Sequence, residues 1–215
     1  MKLKKVFLII VVLLCLSGCV NIKELKYDDI INMFSNKEKT ANVYNKGYQY
    51  YLPKGLSRIQ SGSNYSIIGS ENITYYLYSD LVSYINKNEI TYEINNSLVY
   101  SKKIINGKKT GYVEIKLWEN NQYLIEIMYN YAKIEVMVEE KLIKEALINS
   151  INILNSMKYN DDVINSLLND DKLNYTEESF ELFENDKNNS NILDYVDSDD
   201  DSEQQDEIKD TDFIN

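Results

Sequence analysis

Glu114 and Glu126 are the side chains whose type and spacing come closest to a catalytic pair. Each falls in one of two consecutive segments that read as neighbouring strands. Their carboxylates could therefore face one another across a glycosidic bond, as the two acids of a glycan hydrolase do. Lys116 and Lys133 fall on the same expected surface, and a mixed-charge exterior is the ordinary state of a solvated sheet face. Other chemistries lack parts. The 215-residue chain has no His, which removes Ser-His-Asp and Cys-His nucleophile systems and the usual His-containing zinc sites. Neither a GxSxG elbow nor an SxxK pair occurs, and the seven glycines form no phosphate-cradling loop. The run Asp197-Ser198-Asp199-Asp200-Asp201 places oxygen ligands as a calcium loop does. Ser202 then stands where that loop needs Gly to turn, and Ile208 where it needs a bidentate Glu. The sequence thus predicts no metal, no cofactor and no enzyme, with a carboxylate-dependent cell-wall glycan enzyme as the alternative.

One residue type remains reactive. Lys2, Lys4 and Lys5 precede an apolar run over residues 6–16. A spanning helix needs about 20 such residues, so this run fits a secretory signal rather than a membrane span. It ends in Leu16-Ser17-Gly18-Cys19, which resembles the bacterial lipobox. Small side chains at Ser17 and Gly18 let extended backbone enter a peptidase, and the Cys19 thiol is the nucleophile that takes a diacylglyceryl group. That resemblance implies a signal peptide over residues 1–18 and attachment to membrane lipid through acylated Cys19. It also implies a place at the cell membrane, on the extracytoplasmic face. Two acyl chains anchor durably where one is marginal, at about 0.8 kcal/mol per buried methylene. A tether over residues 19–27 then reaches at most about 27 Å at roughly 3.4 Å per residue.

Charge divides the rest of the chain. It carries 34 acidic and 23 basic residues, net -11. Residues 161–215 hold 19 acidic and three basic residues, net -16, whereas residues 19–160 hold 15 and 17, net +2. An acidic chain without a basic footprint is no nucleic-acid binder. The acidic tail, 161–215, is expected to be largely disordered, because it buries too little apolar surface to offset chain entropy. A short helix is expected at its start, over 161–168. The folded body then spans residues 28–160, the size of one ordinary domain.

Within that body the patterns read as α+β. Asp28-Asp29 precede Ile30, Ile31, Met33 and Phe34, a short helix with acid at its positive end. A Tyr-rich strand over 47–52 stops at Pro53-Lys54-Gly55, and strands over 65–68 and 73–78 follow. Residues 81–96 fit either a helix or a strand. Turn signals at Asn106-Gly107 and Asn120-Asn121 separate strands at 98–105, 110–118 and 122–129, with a fourth at 132–138. Alternation places Val113, Ile115 and Leu117 on the core face of this meander. Tyr112, Glu114, Lys116 and Trp118 fall on the other. From Glu139-Glu140 the period changes, and Leu142, Ile143, Ala146, Leu147, Ile151, Leu154 and Met157 form one helical stripe. The expected architecture is an antiparallel meander sheet covered by a C-terminal helix, with a short N-terminal helix.

The turn Tyr51-Leu52-Pro53-Lys54-Gly55, the element order and the closing Ser156-Met157-Lys158 are similar to the PsbP-like superfamily over residues 47–158. Leu56 stands where an aromatic commonly follows the turn glycine there. The resemblance implies an α+β sandwich that is mostly a non-catalytic binding or assembly module. Against five Phe the chain has 19 Tyr, a preference for rings with a polar tip. The plain reading is half-buried strand aromatics, and the alternative is a docking surface for an envelope protein partner that includes Tyr112 and Trp118. In the tail, Phe180, Leu182, Phe183 and Tyr195 stand among acids, as in a segment that either folds on a basic, grooved partner or packs back on the slightly basic body of the same chain. A small-ligand receptor of a transporter is a third reading, disfavoured by the single lobe.

Overall fold

A computed structural model describes residues 22–169. Leu16, Ser17, Gly18, Cys19, Phe180, Leu182, Phe183 and Tyr195 lie outside the described residues. The fold is α+β, built on a seven-stranded antiparallel sheet and a smaller three-stranded one. The large sheet contains β3 (Ser57–Ser61), β4 (Tyr65–Gly69), β5 (Thr74–Ser79), β6 (Tyr100–Asn106), β7 (Lys109–Leu117), β8 (Gln122–Tyr129) and β9 (Ala132–Glu139). Their order is β3-β4-β5-β9-β8-β7-β6, so two meanders join where β5 meets β9. The small sheet places β2 (Tyr48–Tyr50) between β1 (Val43–Tyr44) and β10 (Lys158–Tyr159).

Turn chemistry fixes the register of the second meander. Asn120 and Asn121 both take positive φ, as Asn tolerates, and Leu117 then pairs with Tyr123. Between β6 and β7 the loop is Gly107-Lys108, with Gly107 at φ +60 and Asn106 still in the ladder. One glycine therefore makes that turn, rather than the Asn-Gly pair expected. Asn130 and Tyr131 form the third turn, both at positive φ. A bulky Tyr is rare there. Its carbonyl accepts from the Asp80 N–H at 2.9 Å and its ring meets Tyr84 edge-on at 5.5 Å. The Asn130 amide caps the closing helix, donating to the Met157 carbonyl at 3.0 Å.

Helix α1 (Tyr27–Ser35) has Asp28 and Asp29 in its first turn, as the helix dipole favours. Asp28 accepts from Lys102 at 2.6 Å and from the Tyr100 hydroxyl at 3.0 Å, which fastens the helix to β6. Within the stretch expected as a tether, Ile22–Glu24 forms a 3-10 turn and Leu25 packs on the core. The ambiguous stretch resolves as α2 (Leu81–Asn86), capped by the Asp80 carboxylate on the Ser83 N–H at 2.9 Å, followed by irregular chain.

Helix α3 (Ile143–Asn155) lies on the inner face of β8 and β9 through Ile143, Ala146, Leu147, Ile151 and Leu154. It is buried on more than the one expected stripe, because α1 packs on its other side. Asn155 and Ser156 are consumed there. The Asn155 amide donates to the Lys37 carbonyl at 3.0 Å, and the Ser156 hydroxyl accepts from the Tyr51 N–H at 2.7 Å. Helix α4 (Asp161–Asn169) follows where a short helix was expected. Leu117 departs from its expected core position and is 55% exposed, since it sits in the last rung of β7. Strands β1, β3 and β10 were not foreseen. Among the described residues no helix is long and apolar enough to cross a membrane.

Gly111 tests the packing of β7 on β8. A Cβ there would lie 1.9 Å from the Met128 carbonyl oxygen and 2.7 Å from the Tyr129 Cα, both backbone atoms. Gly111→Ala should lower stability by about 3 kcal/mol or abolish folding. Gly55→Ala, strained only by φ +88 with open space around it, should cost about 1 kcal/mol. Urea denaturation compares the two, and equal midpoints would contradict this packing.

Candidate functional site

Among the described residues the helices leave one face of the large sheet to its own side chains and to irregular chain ahead of β6. Pairing in β6 to β9, β5 and β4 aligns Ser101, Glu114, Glu126, Glu135, Tyr76 and Ile67 in a single row across that outer face. Three carboxylates therefore stand on three consecutive strands. Like charges directly opposite in a sheet repel, so the row survives only because each carboxylate is answered. Lys133 lies 2.7 Å from Glu135 and 3.6 Å from Glu126. The Tyr112 hydroxyl donates to Glu126 at 2.5 Å, and the Tyr92 hydroxyl to Glu114 at 2.6 Å. Ser101 Oγ sits 2.6 Å from the Tyr92 oxygen and accepts from the Asn95 N–H at 2.8 Å.

Irregular chain between α2 and β6 brings Tyr92 here. Its ring stacks on Tyr112 at 4.3 Å between centroids, 7° from parallel. The result is two phenols side by side, each donating to its own glutamate. Burial raises both phenol pKa values, and the adjoining carboxylates raise them further. Tyr92 is pushed up to about 12 and Tyr112 well above the usual phenol value. Both stay neutral donors near pH 7, which is the form the carboxylates need. Lys103, Lys116 and Lys133 share this face with the three glutamates, so what it offers a cationic group is an aromatic plate beside carboxylates rather than a net negative charge.

The outer face was expected to be solvated, and its centre is not, although Lys103 toward the β6 border is exposed. Lys133 is 9% and Glu135 3% exposed. Tyr78 and Met128 flank Lys133 in register, Tyr76 flanks Glu135, and the ion pair itself removes the need for water. Of the expected docking residues, Tyr112 is central. Trp118 is not part of this cluster, because β7 ends at Leu117 and the indole belongs to the turn, where the Lys116 ammonium lies 5.5 Å from its ring. Glu114 and Glu126 are brought together as expected. Sequence reasoning missed Tyr92, Ser101 and Glu135. The two-residue turn at Asn130-Tyr131 carried the signal for Glu135, since it sets 126 against 135; nothing local marks Tyr92.

Part of the tyrosine surplus goes inward instead. Tyr48, Tyr50, Tyr75 and Tyr129 are core residues. Asn45 donates to the Tyr48 oxygen at 2.7 Å and Asn149 to that of Tyr75 at 2.9 Å. Among the described residues no group of three or more Cys, Asp or Glu is arranged to hold a metal ion.

No protein-family model matches the sequence, and no curated protein is significantly similar to it. A crystal structure of a GTP binding regulator from Thermotoga maritima aligns at 8% identity with a TM-score of 0.23, over 60% of this chain and 88% of that one. A likeness of that size carries no argument.

Two measurements check the network. A double-mutant cycle on Tyr112→Phe and Glu126→Gln should give a coupling of about 1–2 kcal/mol in chemical denaturation, as for a charge-assisted hydrogen bond, and additive effects would remove it. Raised phenol pKa values make the folded state hold its protons longer than the unfolded chain. Their stabilisation is complete below pH 10 and is lost as pH climbs toward about 12, the value for Tyr75, Tyr92 and Tyr129. Phenolate absorbance should therefore show a block of tyrosines silent at pH 10 that ionises together with unfolding.

Proposed function

We propose that this chain is a bacterial lipoprotein, held by acylated Cys19 on the extracytoplasmic face of the cell membrane. Its α+β domain acts there as a non-catalytic binding or assembly module for an envelope protein. The anchoring half rests on the order of Lys2, Lys4 and Lys5, the apolar run at 6–16 and Leu16-Ser17-Gly18-Cys19. The binding half rests on one observation: among the described residues no helix covers the outer sheet face, which presents the stacked Tyr92–Tyr112 pair over Glu114 and Glu126. A partner that brings a basic side chain over these rings meets both acid and π-face. The likeness in element order to the PsbP-like superfamily agrees with a binding role and rests on residues 47–158 alone.

The register of Glu114 against Glu126 also favours a second reading, a retaining glycan hydrolase, whose carboxyl groups stand about 5 Å apart. Against it, Tyr112, Tyr92 and Lys133 already occupy the acceptor positions that an acid and a nucleophile need free.

Intact-mass spectrometry of the membrane-extracted protein should find residues 19–215 carrying diacylglyceryl on Cys19, and Cys19→Ala should move the protein out of the membrane fraction. An unmodified Cys19 defeats the anchoring half. Replacing both Tyr92 and Tyr112 with Ala should reduce crosslinked envelope partners about tenfold without abolishing folding. Undiminished crosslinking together with glycan cleavage that Glu114→Gln abolishes would install the second reading.

A further inference from the structure

A cleft of about 380 Å³ opens away from the outer face, between the small sheet and α4. Its rim carries Lys46 and Lys158, both exposed and neither in an ion pair among the described residues. The Tyr44 ring, 69% exposed, and Val163 of α4, 37% exposed, supply apolar wall between them. The lining of the cleft itself holds two lysines and no acid, with an uncovered aromatic between its polar groups, while Asp161 and Asp162 stand beside it in the first turn of α4. That lining asks for an acidic, apolar occupant.

The chain supplies one. Helix α4 lines the cleft through Val163 and ends at Asn169, about 9 Å further along its axis. Beyond it the sequence is net -14 over residues 170–215, with its first large apolar cluster in Glu177-Glu178-Ser179-Phe180-Glu181-Leu182-Phe183-Glu184. Glutamates beside two phenylalanines match a cleft lined by Lys46 and Lys158 together with Tyr44 and Val163. Ten residues lie between Asn169 and Phe180, and the eleven steps reach up to about 37 Å. A linker of that length gives an effective concentration in the millimolar range, so even weak contacts are populated.

We propose that residues 177–184 of this same chain dock in that cleft, with Phe180 or Phe183 against Tyr44 and Val163 and their glutamates on Lys46 and Lys158. The tail then acts as an internal strap, and a basic partner that takes up Phe180 must first compete with the cleft. This holds or fails independently of lipidation and of the outer face.

Zero-length carbodiimide coupling of the full native chain joins ammonium and carboxylate groups already in contact, and peptide mapping reads the pairs. The expected products are intramolecular links from Lys46 or Lys158 to Glu177, Glu178, Glu181 or Glu184, several-fold more abundant than links to the acids of 203–212. Phe180→Ser with Phe183→Ser, changes outside the folded body, should lower their yield about tenfold. Raising the salt to about 1 M, where the screening length falls to about 3 Å, should lower it as well. Links spread evenly along the tail, links absent from both lysines, or yields indifferent to the Phe substitutions each overturn the proposal. An equal mixture of ordinary and isotope-labelled chains assigns each link to one copy or two, and links found only between copies overturn it too.

Discussion

The burial of α3 is the constraint on which the architecture depends. Ile143, Ala146, Leu147, Ile151 and Leu154 are removed from water against β8 and β9, each fully buried side chain of that size contributing about 1.5–3 kcal/mol. Because α1 packs on the opposite side, α3 is enclosed almost all round, and its polar positions must find partners inside. Those at its C-terminus do so, where Asn130, Lys109 and Tyr51 all meet the last turn or the residues just after it, whereas Ser150 Oγ and Asn152 Oδ1 in its middle go without a hydrogen bond. The helix end thereby ties the hairpin turns of the large sheet to the small sheet. With both helices committed to the inner face, the outer face is left to satisfy itself.

That face does so by neutralising charge within the sheet. Glu126 and Glu135 share Lys133, while Glu126 and Glu114 each take a phenol. Tyrosine suits the task because its ring shields a neighbour while its hydroxyl serves a carboxylate. Phenylalanine could cover the same area but would leave the glutamates without donors, at the cost of an unmet buried acceptor. The preference of this chain for Tyr over Phe thus has a physical use at particular sites: amides meet the phenols of Tyr48 and Tyr75 inside, while those of Tyr50 and Tyr129 are buried without a hydrogen bond, and phenols meet carboxylates outside.

What could be read from the sequence followed local signals. The apolar stripe of α3 and the Asn-containing turns gave the meander and its closing helix nearly residue for residue, because each is decided within a few positions of itself. Strand β3 could not be read. Its sequence, Ser-Arg-Ile-Gln-Ser, has one apolar residue, Ile59, and that residue is exposed. The ladder to β4 holds β3 in place, and a ladder leaves no pattern in side chains. The two-residue strands β1 and β10 fail the same way, being stabilised from opposite ends of the domain. Of the site, the Glu114–Glu126 pair was legible because a short hairpin dictates it. Tyr92 was not, since its place depends on stacking across 20 residues of chain, and no periodicity records that.

The register of β3 on β4 slips between Arg58 and Gln60. Such a bulge twists an edge away from the straight ribbon that a further strand would need. At the opposite border, Lys102 and Lys103 occupy adjacent positions of β6, and Lys102 is engaged by α1. Neither border of the seven-stranded sheet therefore invites a second molecule to extend it. Copies concentrated side by side, as on any two-dimensional support, can crowd without polymerising through their backbones, and Ile59 can stay in water without seeding an aggregate.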